Sequence, residues 1–365
     1  IHGCLVGSEM CIRDRVVGTR PNFVKAAPLL NTLEEQDKKV LFIHTGQHFD
    51  KNMSKNIFDD LSMRTPDINL NAPSDSQSKQ FQYIVQELQK IFNNCEIGKV
   101  GVFGDVTSTL AASIAAKQSD LYLFHVESGL RSNNLGMPEE RNRIMVDAIS
   151  DLLLIPSEDA KENLLKEKVS SGKIHNVGNI MIDTLAKNKS KIINNSEDIK
   201  NNLNINKPYF VVTLHRPANL NDDILNNVFD AISNFTDYYQ VILPAHPRLK
   251  HYIENNDIEF SNIILIDPLS YIDFMSLVYG CDLVLTDSGG IQEETTYLGI
   301  NCLTLREETE RPITVQEGTN KVIGTDKENI INEINNVLGS KISNEAKIKY
   351  WDGETSDRIF QILFG

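Results

Sequence analysis

The 365-residue chain is predicted to fold as two parallel-sheet α/β domains, and three observations carry that expectation. From Val16 onward, short apolar runs alternate with amphipathic helical patterns. The alternation gives way to a polar stretch and resumes after Pro208, so the β-α repetition occurs twice. Every unusual polar motif falls at the carboxyl end of an apolar run, which is where ligands collect in open α/β sheets.

In the first half, "VLFIHTG", "VGVFGD", "LYLFHVES" and "LLLIPS" read as buried strands, because a strand covered on both faces is apolar without alternation. Between them, "FQYIVQELQKIF" sets Phe81, Ile84, Val85, Leu88 and Phe92 on one helical face. The second half supplies "YFVVTLH", "VILPAHP", "IILID", "LVLTDSG" and "CLTLRE", separated by helices such as "DDILNNVFDAISNF". The stretch between the halves, "DTLAKNKSKIINNSEDIKNNLNINKP", is rich in Asn and Lys and is expected to begin as a helix and end as a linker. The expected boundaries are 16–180 for the first domain, 181–207 for the helix and linker, and 208–350 for the second domain. Residues 1–15, "IHGCLVGSEMCIRDR", match neither a signal peptide nor a buried strand, since Arg13, Asp14 and Arg15 would put charges inside a two-sided sheet. They resemble a translated adaptor fused at Val16 and are expected to be foreign to the fold.

A hydrophobic content of 41% is enough for two cores. The net charge of -14 argues against a general attraction to nucleic acid or anionic membrane, so an anionic ligand needs locally placed Arg, Lys, His and helix termini. No run approaches the ~20 apolar residues of a membrane-spanning helix, and a cytoplasmic location is the default. The five cysteines, Cys4, Cys11, Cys95, Cys281 and Cys302, are scattered, odd in number and without a Cys-x-x-Cys pair. They are expected to be reduced, mostly buried thiols, with neither a disulfide framework nor a structural zinc site.

The motif "GTRPNFVKAAPLL" places Gly18 after the opening strand, Arg20 and Pro21 at a helix start, and Lys25 one turn on. It offers a helix N-terminus with two cations, although a simple turn with two solvated bases has the same letters. No G-x-G-x-x-G follows a strand and no P-loop is present, which disfavours NAD and P-loop chemistry. In "GDVTSTLAASIAA", Asp105 ends a strand, where it could equally cap the next helix. "HVESGLRS" puts Glu127 at a strand end with Arg131 beyond it. "MPEERNRIMVDAI" begins a helix after Pro138, with Glu139 and Arg143 on one face, a spacing that an exposed ion pair also explains. Asp105, Glu127 and Glu139 would converge if their strands are neighbours, and converging carboxylates suggest acid–base work.

In the second half, "TLHRPANLNDD" sets His215 and Arg216 directly after a strand, and "LPAHPR" does the same for His246. No tight His spacing supports a metal site, and none is expected. "DSGGIQEE" opens a helix on Ser288, Gly289 and Gly290, exposing backbone N–H groups to an anion, with Glu293 or Glu294 one turn later in reach of sugar hydroxyls. A nucleotide would satisfy both features. A strand-to-helix turn with a favourable acidic first turn reads the same way.

Taken in order, "GTRPNFVKAAP", "TGQHFD", "GDVTSTLA", "HVESGLRS", "MPEERNR", "LHRP", "DSGGIQEE" and "ERPITVQEGTN" closely resemble the non-hydrolysing UDP-N-acetylglucosamine 2-epimerases. The resemblance runs from Val16 essentially to the C-terminus; each motif is weak alone and the ordered set is specific. It implies two Rossmann-like domains with a central cleft, of glycosyltransferase-B type, in a homodimer, with a final helix at about 351–365 completing the first domain. It implies that Ser288, Gly289 and Gly290 receive the diphosphate and Glu294 the ribose, that Phe274 lies against uracil, and that Arg20, Lys25, His246 and Arg311 also bind the UDP-sugar substrate. Asp105, Glu127, Glu139, Arg143 and His215 match the family's catalytic positions.

The chemistry so implied needs no cofactor. It is an isomerisation at C2 by elimination of UDP to 2-acetamidoglucal and re-addition on the other face, of the kind that supplies polysaccharide biosynthesis. Asp105 and Glu139 are the proton-transfer candidates and Glu127 the charge stabiliser. The sequence departs from relatives activated by a second substrate molecule, which carry Gln-His-Arg where this chain has Gln47, His48 and Phe49, and a basic residue where it has Ser76. Alternative readings are a 2-epimerase of a modified sugar such as UDP-2,3-diacetamido-glucuronate, and a hydrolysing epimerase that releases N-acetylmannosamine.

Overall fold

The computed structural model describes residues 15–17, 20–46, 58, 60–73, 76–216, 219–245, 247–255, 263–339 and 347–365. The sequence readings on residues 1–14, Gly18, Gln47, His48, Phe49 and His246 lie outside these residues. The described chain divides into two compact units, one reaching to Ile180 and taking in Glu354–Gly365, the other spanning Met181–Gly353.

The first unit is built on seven parallel strands: β1 (Arg15–Val17), β2 (Phe42–His44), β3 (Ile68–Asn69), β4 (Lys99–Phe103), β5 (Tyr122–Val126), β6 (Leu152–Ile155) and β7 (Ile174–Asn176). They lie in the order β3-β2-β1-β4-β5-β6-β7. The chain builds outward from β1 to β3, returns to lay β4 beside β1, and then builds the other way. The β1/β4 junction is thus a topological switch point, where the crossovers diverge and leave a crevice at the strands' carboxyl ends. Helices α1 (Arg20–Glu35), α2 (Gln77–Asn94), α3 (Thr107–Gln118), α4 (Pro138–Ile149) and α5 (Glu158–Lys166) make the crossovers.

Strands β4 to β6 are buried almost throughout, as their uninterrupted apolar runs require. Ile84, Leu88 and Phe92 of α2 are buried against them, with Phe81 and Val85 half-buried at the margin of the predicted face. The start of α2 is fixed by Ser76, whose hydroxyl accepts from the Lys79 amide at 3.3 Å. Helix α3 lies between α2 and α4, and its Ala111, Ala112, Ala115 and Ala116 are fully buried, small enough to let both neighbours approach.

The second unit begins on α6 (Ile180–Asn202), so the Asn/Lys-rich stretch is helical for most of its length and residues 203–208 form the connection. Its parallel strands are β8 (Tyr209–Thr213), β9 (Gln240–Pro244), β10 (Ile263–Ile266), β11 (Leu283–Thr286), β12 (Cys302–Thr304) and β13 (Asn320–Val322), in the order β10-β9-β8-β11-β12-β13. The switch point here is β8/β11. Helices α7 (Asp222–Ser233), α8 (Pro247–Asn255), α9 (Tyr271–Tyr279), α10 (Gly289–Leu298), α11 (Pro312–Gln316) and α12 (Lys327–Leu338) accompany them. Phe210 and Val212 of β8, Leu283 and Leu285 of β11, Leu225 and Phe229 of α7, and Ile330 and Ile334 of α12 meet in one core.

A last helix, α13 (Thr355–Phe364), packs on α1 of the first unit. Ile359 and Leu363 are its buried apolar side chains, Lys38 lies 4.8 Å above the Phe364 ring, and Lys99 donates to the Leu363 carbonyl at 2.5 Å. The three described cysteines are free: Cys302 is buried, whereas Cys95 and Cys281 are half-buried, so the expectation of mostly buried thiols is met by one of the three. Cys4 and Cys11 lie outside the described residues. No helix among the described residues is long and apolar enough to cross a membrane.

Candidate active site

In the first unit the switch point is organised by Gly104, the residue after β4, at φ +63°. A Cβ added there would lie 3.1 Å from the Lys25 Nζ and 3.3 Å from the Asn22 Oδ1. Glycine both adopts this left-handed turn and admits the lysine. Lys25, in the second turn of α1, is ion-paired with Glu127, and both are buried. Glu127 follows β5 at φ +68°, a conformation unfavourable for a residue with a Cβ. Its own amide and that of Ser128 donate to the Leu154 carbonyl of β6 at 3.0 and 3.2 Å, which holds the turn. Arg20 is the first residue of α1.

Asp105, next to Gly104, receives Arg143 through Nε at 2.9 Å and Nη2 at 2.8 Å, both on Oδ2, while Asn142 donates to its carbonyl at 2.8 Å. Two readings of the spacing are corrected here. The N-cap of α3 is Val106, with no side-chain capping bond, so Asp105 is not a helix cap. The partner of Arg143 on its own helix is Glu140 and not Glu139, because in the first turn of α4 it is Glu140 that is buried and Glu139 that is exposed. Glu140 also accepts the amides of Ser132 at 2.9 Å and Asn133 at 2.8 Å, fastening the preceding loop to the helix. Arg131 is buried and engaged with Asp147 at 2.8 Å and with both oxygens of Glu167 at 2.7 and 2.8 Å, which makes it a structural tie.

In the second unit His215 follows β8 and Asp287 follows β11, so the two meet across the switch point with Nδ1 and Oδ1 2.6 Å apart. Asp287 is fully buried and accepts in addition the amides of His215 at 3.0 Å and Arg216 at 2.9 Å. Burial alone would raise its carboxyl, but the hydrogen bond and charge of His215 and these amides outweigh it and hold Asp287 below the ordinary carboxylate range. His215 remains substantially exposed, with its ring orientation set by that carboxylate.

Ser288 is the N-cap of α10, and its side chain is not spent on capping. A Cβ at Gly289 would lie 2.7 Å from the Glu310 Oε1 and closer still to the Arg311 guanidinium, so glycine is what lets that cation reach the helix N-terminus. Arg311 pairs with Glu293 at 2.9 Å and with Glu310, which in turn holds Arg306 at 2.9 Å. The adjacent glutamates therefore differ in kind. Glu293 is tied to a guanidinium, whereas Glu294 is buried against the Tyr271 hydroxyl, which donates to it at 2.9 Å. Burial, with the Glu293 charge beside it, pushes the Glu294 carboxyl up to about 8 against the counter-effect of that hydroxyl. Phe274 is half-buried on α9, one turn beyond Tyr271.

The structure thus groups Lys25, Asp105, Glu127 and Arg143 at one switch point and His215, Ser288, Gly289, Gly290, Glu294 and Arg311 at the other. Sequence reasoning missed Asp147, Glu140, Tyr271, Glu310 and, above all, Asp287. The signal for Asp287 was present, since it ends β11 by the same criterion that singled out Asp105 and His215. No group of three or more His, Cys, Asp or Glu among the described residues is placed to hold a metal ion.

Comparison with known proteins identifies the fold and the family. The family model for UDP-N-acetylglucosamine 2-epimerase matches residues 31–364. A UDP-N-acetylglucosamine 2-epimerase of Methanococcus maripaludis is 37% identical over 96% of this chain and 97% of its own length. A UDP-2,3-diacetamido-2,3-dideoxy-D-glucuronate 2-epimerase of Pseudomonas aeruginosa is 33% identical over 95% of this chain and 98% of its own. The crystal structure of the Methanocaldococcus jannaschii UDP-GlcNAc 2-epimerase, solved with UDP-GlcNAc and UDP, superposes with a TM-score of 0.89 at 34% identity, covering 96% of this chain and 99% of that one. Two parallel α/β units of glycosyltransferase-B type, acidic and cationic side chains at both switch points, and a match along nearly the whole sequence lead to one assignment: the chain belongs to the UDP-N-acetylglucosamine 2-epimerase family.

Proposed function

We propose that this chain interconverts UDP-N-acetylglucosamine and UDP-N-acetylmannosamine without net hydrolysis, by eliminating UDP to 2-acetamidoglucal and adding it back. The observation that carries the reading is the division of labour between the two switch points, one rich in carboxylates and the other built on a helix N-terminus beside Arg311 and a buried glutamate. In the second unit, the first-turn amides of α10 at Ser288, Gly289 and Gly290, with Arg311, suit a diphosphate. Glu294, which has a hydroxyl for partner where Glu293 has a cation, suits the ribose. Phe274 suits the base, and Arg20 and His246 complete the set of substrate contacts. His215, oriented by Asp287, contacts the departing diphosphate.

In the first unit, Glu127 is locked to Lys25 and buried, which fits a stationary charge that stabilises the positive character developing at C1 as UDP leaves. Glu139 is exposed and Asp105 is partly exposed beside Arg143, which fits groups that exchange a proton with C2 and with water. The proton at C2 is not next to a carbonyl, so breaking the C1–O bond is what makes its removal feasible. A homodimer and a cytoplasmic location belong to the same proposal, the former tested by light scattering for twice the chain mass.

UDP-N-acetylglucosamine supplied alone, with products followed by NMR, tests the reading. UDP-N-acetylmannosamine should accumulate to equilibrium, gain deuterium at C2 in deuterated water, and scramble an oxygen label from the bridging into the non-bridging phosphate positions. Free N-acetylmannosamine with UDP would instead establish a hydrolysing enzyme. An unscrambled label together with retention of the original C2 hydrogen would eliminate the route.

A further inference from the structure

The turns that present Asp105 and Glu127 are joined from beneath by two residues that the proposed chemistry does not use. His125 is the fourth residue of β5 and wholly buried; Asp147 lies on α4 and is also buried. The imidazole Nδ1 is 2.7 Å from the Asp147 Oδ1, and its Nε2 is 2.9 Å from the Gly104 carbonyl. A peptide carbonyl can only accept a hydrogen bond. The Asp147 carboxylate accepts as well, since His125 and Arg131 outweigh its burial and hold it below the ordinary range. Both ring nitrogens therefore donate.

The other oxygen of Asp147 accepts the Gly129 amide at 3.0 Å and the Arg131 Nη2 at 2.8 Å. One continuous path of hydrogen bonds thus runs from the Gly104 carbonyl, through the ring and the carboxylate, to the Gly129 amide. Its ends are chemically telling. Gly104, at φ +63°, immediately precedes Asp105, and Gly129, at φ +80°, lies two residues beyond Glu127, itself at φ +68°. Three left-handed residues in two neighbouring turns are anchored by the same pair of side chains.

We infer that His125 and Asp147 are positioning residues for the epimerisation: a buried, doubly donating imidazole on a carboxylate that fixes the strand-end turns carrying Asp105 and Glu127 relative to each other. The inference rests on the proposed function for its kinetic consequence, but not for its chemistry. An acid and a charge stabiliser working on adjacent carbons must keep their separation through the cycle, and misplacement by about 1 Å is enough to cost on the order of a hundredfold in rate.

The ring itself is tested in the substrate-free protein by 15N NMR of histidine-labelled material at neutral pH. The signal of His125 among the eight histidines is assigned by its loss in His125→Gln, or in the ring-shaped His125→Phe if the first does not fold. Hydrogens on both nitrogens, slowly exchanging, are expected; one bare ring nitrogen overturns the strut. In kinetics, His125→Phe should lower kcat about a hundredfold while UDP affinity and KM stay within threefold. His125→Gln, whose amide can still donate to the Gly104 carbonyl, should recover part of the loss. Asp147→Asn should resemble His125→Phe. A folded His125→Phe with kcat within threefold of the unaltered enzyme overturns the positioning role. Failure of the unaltered protein to convert UDP-N-acetylglucosamine would overturn the epimerase reading instead, and the ring spectrum would still decide the strut.

Discussion

Replacing Glu294 with glutamine separates the energetic cost of a buried acid from its use. Glu294 sits against the Tyr271 hydroxyl with its carboxyl pushed up to about 8, from an ordinary value of 4.5. Between these two values the folded protein binds a proton that the unfolded chain has released, so stability falls as pH rises through the window. The slope contributed is about 1.4 kcal/mol per pH unit, and roughly 5 kcal/mol over the whole interval. Urea unfolding of the two proteins from pH 5 to 9 isolates this contribution as the difference between them, with the glutamine variant gaining on the unaltered enzyme as pH rises. Ligand binding should show the opposite sign. Ribose hydroxyls donate to an ionised carboxylate, so UDP must displace the proton at pH 7, and calorimetry in buffers of different ionisation enthalpy should register release of close to one proton, absent in the variant. At pH 8.5, where Glu294 is already mostly ionised, losing a charged hydrogen bond of about 1.5–3 kcal/mol should weaken UDP roughly ten- to a hundredfold. Parallel stability curves, equal proton counts and unchanged UDP affinity would remove Glu294 from the ribose site.

Asp105→Asn and Glu139→Gln should each suppress C2 deuterium uptake and epimerisation together by about a hundredfold, the usual effect of losing a positioned acid or base; near-normal rates in both would leave those carboxylates without a chemical role. Asp287→Asn removes a carboxylate held below its ordinary range, whose stabilisation is present above about pH 4 and lost as pH falls through the folded value. The variant should lose about 1.5–3 kcal/mol at neutral pH, the worth of hydrogen bonds to a charged acceptor, and its stability should fall less steeply in acid; equal denaturant midpoints would show that the carboxylate does not hold the two amides and the His215 ring. Gly104→Ala forces a left-handed conformation on a residue with a Cβ and crowds Lys25, so it should cost about 1–2 kcal/mol and slow turnover, and an alanine variant of native stability and rate would refute that account.

Strands β4 to β6, β8, β9, β11 and β12 are legible in the sequence because two-sided burial turns a parallel strand into an unbroken apolar run. Strands β3, β7 and β13 are not, because they lie at sheet edges and are only partly buried, so no unbroken apolar run marks them. Candidate site residues at strand ends can be picked out by position, as Asp105, Glu127, His215 and Ser288 are. Partners could not. The spacing of Glu139 and Arg143 is the same on paper as that of any i,i+4 pair, and only the packing of α4 shows that Glu140 turns inward. His125 and Asp147 are 22 residues apart on consecutive elements, and nothing local in either segment announces the other.

The docking of α13 on α1 has a consequence for the order in which the protein is made. Residues 181–353 form a unit from continuous chain, whereas the first unit draws its closing helix from 264 residues beyond Lys99, the lysine that holds the Leu363 carbonyl. On the ribosome, the strands that carry Asp105 and Glu127 emerge early, yet the apolar face of α1 waits uncovered while the whole of the second unit is synthesised. Only then do Ile359 and Leu363 arrive to shield it. The half of the molecule translated first is therefore the half finished last, and the interval leaves an unfinished apolar surface open to the wrong partner.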